Sequence, residues 1–189
     1  MALTFHGAGD PGLTDAMIAA LQRASAPVTV FAVGSWLDEN PKVAGRLLGA
    51  GHELANHTYT HPTLGRSSPA EVADEIARCR MVLARAAGPR ALRWFRPSGI
   101  EIPTDTILTT AGEQGYATVV GYDVDSLDFE DPGVDAVVAN VEAGLQPGSI
   151  ISLHLGHAGT VTAMPRLLTL LDRGGLRPVT VSTLLTGEG

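Results

Sequence analysis

The sequence predicts an α/β fold built on a mainly parallel sheet. Short β-branched or aromatic runs alternate with helix-length amphipathic patterns along the whole 189-residue chain, and that alternation is how parallel sheets are wired. The chemically unusual side chains also fall at or just after the ends of those runs. In parallel α/β folds this is the sheet edge where ligands and catalytic groups collect.

Seven runs read as strands: "ALTF" (2–5), "PVTVFAV" (27–33), "HELAN" (52–56), "RWFRP" (93–97), "ATVVGYDV" (117–124), "SIISLHL" (149–155) and "RPVTV" (177–181). Helices lie between them. Asn40-Pro41 offers an N-cap and a proline at the first helical position, Val43, Leu47 and Leu48 form an apolar face, and Gly51 ends it. Ser68-Pro69-Ala70-Glu71 reads as a capping box ahead of Val72, Ile76, Cys79 and Leu83 on one face. Thr104 caps a helix through Ile107, Leu108 and Ala111 that ends near Gly115, and two more run over 133–145 and 160–174.

With 44% hydrophobic residues the chain has the material for one well-filled core, so a single domain over residues 1–189 is expected. Its 22 glycines and 12 prolines make it turn-rich, short of the roughly 25–30% that marks low complexity. The net charge is -7 and the 13 lysines and arginines are scattered, so nucleic acid is not an expected partner. No apolar run approaches the roughly 18 residues of a membrane span, no signal-peptide pattern precedes the first strand, and the chain reads as soluble. Cys79 is the single cysteine, which excludes an internal disulfide and a cysteine-based zinc site and marks it as a small buried helix residue.

The most informative motif is "NHTYTH", with His57 and His61 four residues apart. If the loop enters one helical turn, both imidazoles point the same way and form a facial pair for a divalent metal such as Zn2+. The plainer reading is one capping and one surface histidine. A catalytic ion needs a third ligand, and "LTFHGAGDPG" offers His6 and Asp10. Asp10 also reads as a turn residue before Pro11, and His6 as a strand-end histidine bonded to backbone.

"SLHLGH" places His154 at the end of an apolar strand, suited to proton transfer near neutral pH, with His157 beyond it. "RWFRPSG" sets Arg96 on a rigid turn. The acidic run "DVDSLDFED" can orient a histidine, although solvation explains most of its carboxylates. No P-loop, GxGxxG or GxSxG motif is present, which argues against nucleotide binding and serine hydrolysis.

Taken in order, "LTF", "TVFAVGSWL", "AGHELANHTYTHP", "FRPSG", "VVGYDVDSLDF", "GSIISLHLGH" and "LLDRGGLRPVTVSTLL" resemble the NodB-homology polysaccharide deacetylases, carbohydrate esterase family four, nearly end to end. The resemblance implies a deformed barrel of seven or so parallel strands with helices outside. It implies one divalent metal ion, Zn2+ or alternatively Co2+, and hydrolysis of N-acetyl or, less often, O-acetyl groups on an acetylated glycan. It also implies secretion or residence in the cell envelope, with a monomer as the default state.

By resemblance His57 and His61 take metal-binding positions and Arg96 orients a catalytic carboxylate. Asp128 tunes His154, the general acid for the leaving amine, and Phe129 stands near the aromatic that walls the acetyl pocket. The family's TFDDGP, a base aspartate followed by a ligand aspartate, is here "TFHGAGDP", with His6 and Gly7 at those positions and Asp10 arriving two residues late.

Three repairs follow. Asp10 completes the metal site with His57 and His61 while His6 acts as base; or His6 coordinates and Asp10 is the base; or the site is silent. The preferred reading is the first, because Gly7, Ala8 and Gly9 give the loop freedom. "RPSGIE" in place of RPPYG points to a different substrate groove. The function read from the sequence is a metal-dependent glycan deacetylase, and its rival is a silent glycan-binding or scaffolding module.

Overall fold

The structure, a computed structural model, describes residues 1–88, 91 and 93–187. It has five strands, β1 (Ala2–Gly7), β2 (Thr29–Ala32), β3 (Glu53–Asn56), β4 (Val124–Asp125) and β5 (Ile150–His154), in the order β3-β2-β1-β5-β4. β1 and β4 both run parallel to β5.

Two of the seven expected strands are reduced to isolated bridges, and the strand expected over 117–124 keeps only a bridge at Val119 and its last residue, Val124, where β4 begins. Residues 93–97 contribute Phe95, which bridges in parallel to Asn56 and Val119, and residues 177–181 contribute Val179, which bridges to Ala2. Proline explains both: Pro97 and Pro178 have no N–H to extend a ladder. Thr180 then caps the short helix Val181–Thr186 through its hydroxyl, so the expected seventh strand turns helical at its end.

By contact the chain forms two compact units, Met1–Val30 with Gly49–Glu53 and Tyr122–Gly189, and Phe31–Leu48 with Leu54–Gly121. In the first unit β1 and β5 bury the apolar Leu3, Phe5, Ile151 and Leu153 and, between them, the polar Thr4 and Ser152. The helices α1 (Pro11–Arg23), α6 (Val134–Gly144) and α7 (Ala158–Arg173) bury Met17, Leu21, Val137, Val141, Met164, Leu167 and Leu171. α7 packs on both α1 and α6.

In the second unit α4 (Pro69–Ala87) packs on α2 (Gly34–Glu39) and α5 (Asp105–Glu113). Leu64, Val72, Ile76, Phe95, Ile107, Ala111 and Tyr116 form its core cluster. The Ser68 box is present, with Ser68 Oγ accepting from Glu71 N and the Glu71 carboxylate accepting from Ser68 N at 2.7 Å, and Thr104 caps α5. Asn40 behaves differently from its expected cap role: its side-chain amide donates to the Trp36 carbonyl at 3.0 Å, closing the end of α2 before α3 (Pro41–Gly49) begins.

Candidate active site

In the first unit the parallel register sets His6 of β1 directly beside His154 of β5. β1 continues to Gly7, so His6 is a strand residue and does not follow the strand. Its ring centroid is 4.5 Å from that of His154, and its Nε2 shares a hydrogen bond with the buried Ser152 hydroxyl at 3.2 Å.

Asp128 sits in a 3-10 turn (Asp128–Glu130) bracketed by left-handed Leu127 and Asp131. Its side chain is fully buried, while that of His154 is 23% exposed. A carboxylate accepts only, so His154 Nδ1–H donates to Asp128 Oδ1, at 2.7 Å. Oδ2 accepts from the His154 backbone N–H at 2.8 Å and from the Thr160 hydroxyl at 2.6 Å. Burial alone pushes the Asp128 carboxyl up, but the hydrogen bonds and charge of His154, with the Thr160 bond, outweigh it and hold the group below its usual range. The imidazole is thereby fixed with Nε2 turned away from Asp128, and it can cycle between neutral and charged forms against a standing anion. Phe129, 45% exposed, presents its ring 5.4 Å from that of His154.

Three other carboxylates of the acidic run have structural work. Asp123 accepts from Ile150 N, Asp125 from Leu127 N, and Asp131 pairs with His157 Nδ1 at 3.0 Å.

The first loop is shaped differently from its expected freedom. Asp10 is the N-cap of α1, with Oδ1 accepting from Gly12 N at 2.7 Å and Leu13 N at 3.0 Å. Gly9, at φ +136°, crosses the turn after β5 so closely that a Cβ would lie 2.3 Å from Gly156 Cα. The glycines therefore serve a backbone-to-backbone crossing.

In the second unit His57 is fully buried at the end of β3, and its Nδ1–H donates to the Arg96 carbonyl at 2.8 Å. That bond leaves the Nε2 lone pair as the available donor to a metal. His61 is exposed, its ring centroid 4.9 Å from that of His57, and the two residues offer ligand nitrogens within 4.8 Å of each other.

The segment between them is an irregular loop and not the expected helical turn, with Thr58 at φ 68° and His61 at φ 61°. Side chains hold it there. Asn56 Oδ1 accepts from Thr58 N at 2.9 Å, and the Glu75 carboxylate accepts from Tyr59 N, Thr60 N and the Thr60 hydroxyl at 2.7, 2.7 and 2.6 Å. Two imidazoles on a fixed loop suit a borderline ion such as Zn2+ or Co2+. Arg96, 2% exposed, lies 4.0 Å over the Phe31 ring and donates to the carbonyls of Val120 and Gly121 at 3.0 and 2.8 Å.

Residues 1–119 match the family model described as "Polysaccharide deacetylase", more than half of the chain. The chain belongs to the polysaccharide deacetylase family. This family member is 37% identical over 187 residues to a chitooligosaccharide deacetylase of Bradyrhizobium, covering 92% of this chain and 84% of that one. It is 33% identical over 189 residues to a Bacillus cereus peptidoglycan-N-acetylglucosamine deacetylase, covering 98% and 87%. A family 4 carbohydrate esterase from Streptomyces lividans in complex with acetate superposes with a TM-score of 0.88 at 32% identity, covering 99% of this chain and 94% of that chain. A CE4 family pseudoenzyme from Bacillus anthracis does so at 0.89 and 26%, covering 97% and 64%.

Glu75, Thr160, Ser152 and Asn56 belong to the site although no sequence motif singles them out. Glu75 had a signal: it lies on the same helical face as Val72, Ile76 and Cys79, where a carboxylate must find partners.

Proposed function

We propose that the chain is a metal-dependent hydrolase that removes N-acetyl groups from an acetylated glycan outside the cytoplasm. The carrying observation is the buried Asp128–His154 pair, set in register beside His6, in a chain whose relatives include a chitooligosaccharide deacetylase. Among the described residues no helix is long and apolar enough to cross a membrane.

In this reading His57, His61 and His6 hold the ion. Support comes from the ligand chemistry of the three histidines, each offering one nitrogen, and from the commitment of Asp10 Oδ1 to two backbone N–H groups. Of the three repairs of the first motif this favours the second for the metal, with His6 in place of Asp10. When bound, the ion would polarise the acetyl carbonyl and lower the pKa of a bound water.

His154 performs the proton transfer. Its Nε2 takes a proton from the attacking water and returns it to the departing sugar nitrogen, so amide and water become acetic acid and amine, equivalently acetate and ammonium, with no net proton gained or lost. Asp128 stabilises the imidazolium between those events, and Phe129 walls the acetyl group. Arg96 contributes by fixing His57 through its carbonyl.

The test is metal stoichiometry by elemental mass spectrometry on tag-free protein. Wild type should carry about one equivalent, lost in His57→Ala and His6→Ala and kept in Asp10→Ala. Loss in Asp10→Ala with retention in His6→Ala would return the ligand role to Asp10. No metal in wild type after zinc or cobalt is supplied would overturn the hydrolase. The silent glycan-binding module would then stand, a reading favoured by the likeness to the pseudoenzyme and by the altered first motif.

A further inference from the structure

We infer that Glu75 is a positioning residue for the metal centre, acting through the loop between His57 and His61. The inference rests on the proposed metal-binding role of that pair. Three residues separate the two imidazoles, and the backbone that carries them takes left-handed φ values at Thr58 and His61, a region that L side chains enter at a cost. A loop in that conformation keeps its shape only if its surroundings hold it.

Glu75 is placed to do so. It lies on α4, is 8% exposed, and places Oε2 between the N–H groups of Tyr59 and Thr60 while Oε1 takes the Thr60 hydroxyl. Both successive backbone donors of the loop therefore point at one buried carboxylate, which fixes the direction in which the chain enters His61. His57 is fixed separately through Arg96, so Glu75 bears mainly on His61 and on the separation of the pair. Glu75 also borders a cavity of about 430 Å3 that it lines with Pro62, Ser67, Ala70, Glu71 and Asp74. Water from that cavity can satisfy the loop donors once the carboxylate is gone, without fixing their direction.

The experiment measures Co2+ affinity by titration, together with the visible absorption of the bound ion, on the full chain in wild type, Glu75→Ala, Glu75→Gln and Val72→Ala. Glu75→Ala should bind about tenfold or more weakly, the usual effect of losing a group that orients a ligand, with an altered spectrum. Glu75→Gln should restore affinity and spectrum, because an amide oxygen at the Oε2 position accepts both N–H groups and the amide N–H donates to the Thr60 hydroxyl. Val72→Ala removes a fully buried apolar side chain one turn away on the same helix and should lower the melting temperature while leaving affinity and spectrum unchanged. Wild-type affinity and spectrum in Glu75→Ala would overturn the inference, as would equal weakening in Val72→Ala. Absence of binding in wild type would overturn the metal reading itself and this inference with it.

Discussion

Replacing Asp128 with asparagine keeps the shape of the side chain and removes its charge. Asp128 accepts three hydrogen bonds, two of them at Oδ2. With the amide oxygen at the Oδ2 position, the His154 N–H and the Thr160 hydroxyl are still accepted. The amide NH2 then faces His154 Nδ1, which must become an acceptor, and the ring proton moves to Nε2. A charge-assisted bond of about 1.5–3 kcal/mol is exchanged for a neutral one of about 1 kcal/mol, so folding should weaken by only about 1 kcal/mol. The imidazolium loses its counter-charge, and the neutral ring now carries its proton on Nε2, where the reaction needs a lone pair, so kcat should fall by well over a hundredfold and toward about 10^4-fold. Acetate release from a chitooligosaccharide measures the rate, a thermal melt the stability, and imidazole 15N NMR the tautomer without any substrate. A His154 ring that keeps its proton on Nδ1 in Asp128→Asn, or an unchanged kcat, would refute the reasoning.

Two further outcomes follow from the packing. Gly9→Ala puts a Cβ 2.3 Å from Gly156 Cα at φ +136° and should cost at least roughly 1–3 kcal/mol in backbone strain. Calorimetry should show a melting temperature lowered by several degrees, and an unchanged one would contradict the crossing. Tyr116 and Cys79, both pushed up to about 12 chiefly by burial from 10.0 and 9.0, favour the folded state in their neutral forms. Their contribution is complete below the unfolded values and is lost as pH rises towards 12. Urea midpoints should fall across that alkaline window, and Cys79 should resist alkylation in the folded chain at about pH 8.

The alternation of strands and helices was legible because its signals are local: the Ser68 box and the Thr104 cap sit where the sequence puts them. The bridges at Phe95 and Val179 were harder to read, because an apolar run does not reveal that a neighbouring proline limits pairing. α1 was missed although Asp10-Pro11 repeats the cap-and-proline signal of Asn40-Pro41. A carboxylate just ahead of a helix reads equally as a ligand, and spacing alone does not separate the two roles. The His57–His61 pair was visible from spacing alone, but the irregular loop that joins them depends on Asn56 and on Glu75, 15 and more residues away in sequence. The pairing of His6 with His154 is a contact 148 positions apart, set by strand register, and periodicity does not report register.

The crossing of Gly9 over Gly156 bears on how such a chain could be returned to the ordinary family motif. Exchanging His6 and Gly7 for aspartates would restore only the TFDD of TFDDGP and leave a segment two residues too long before the proline, still pinned at Gly156 and still opening α1 with Asp10. The divergence is one of loop length before it is one of side chains. A reversion would have to be a deletion, with Pro11 drawn back toward the strand, and a library of point substitutions would search the wrong space.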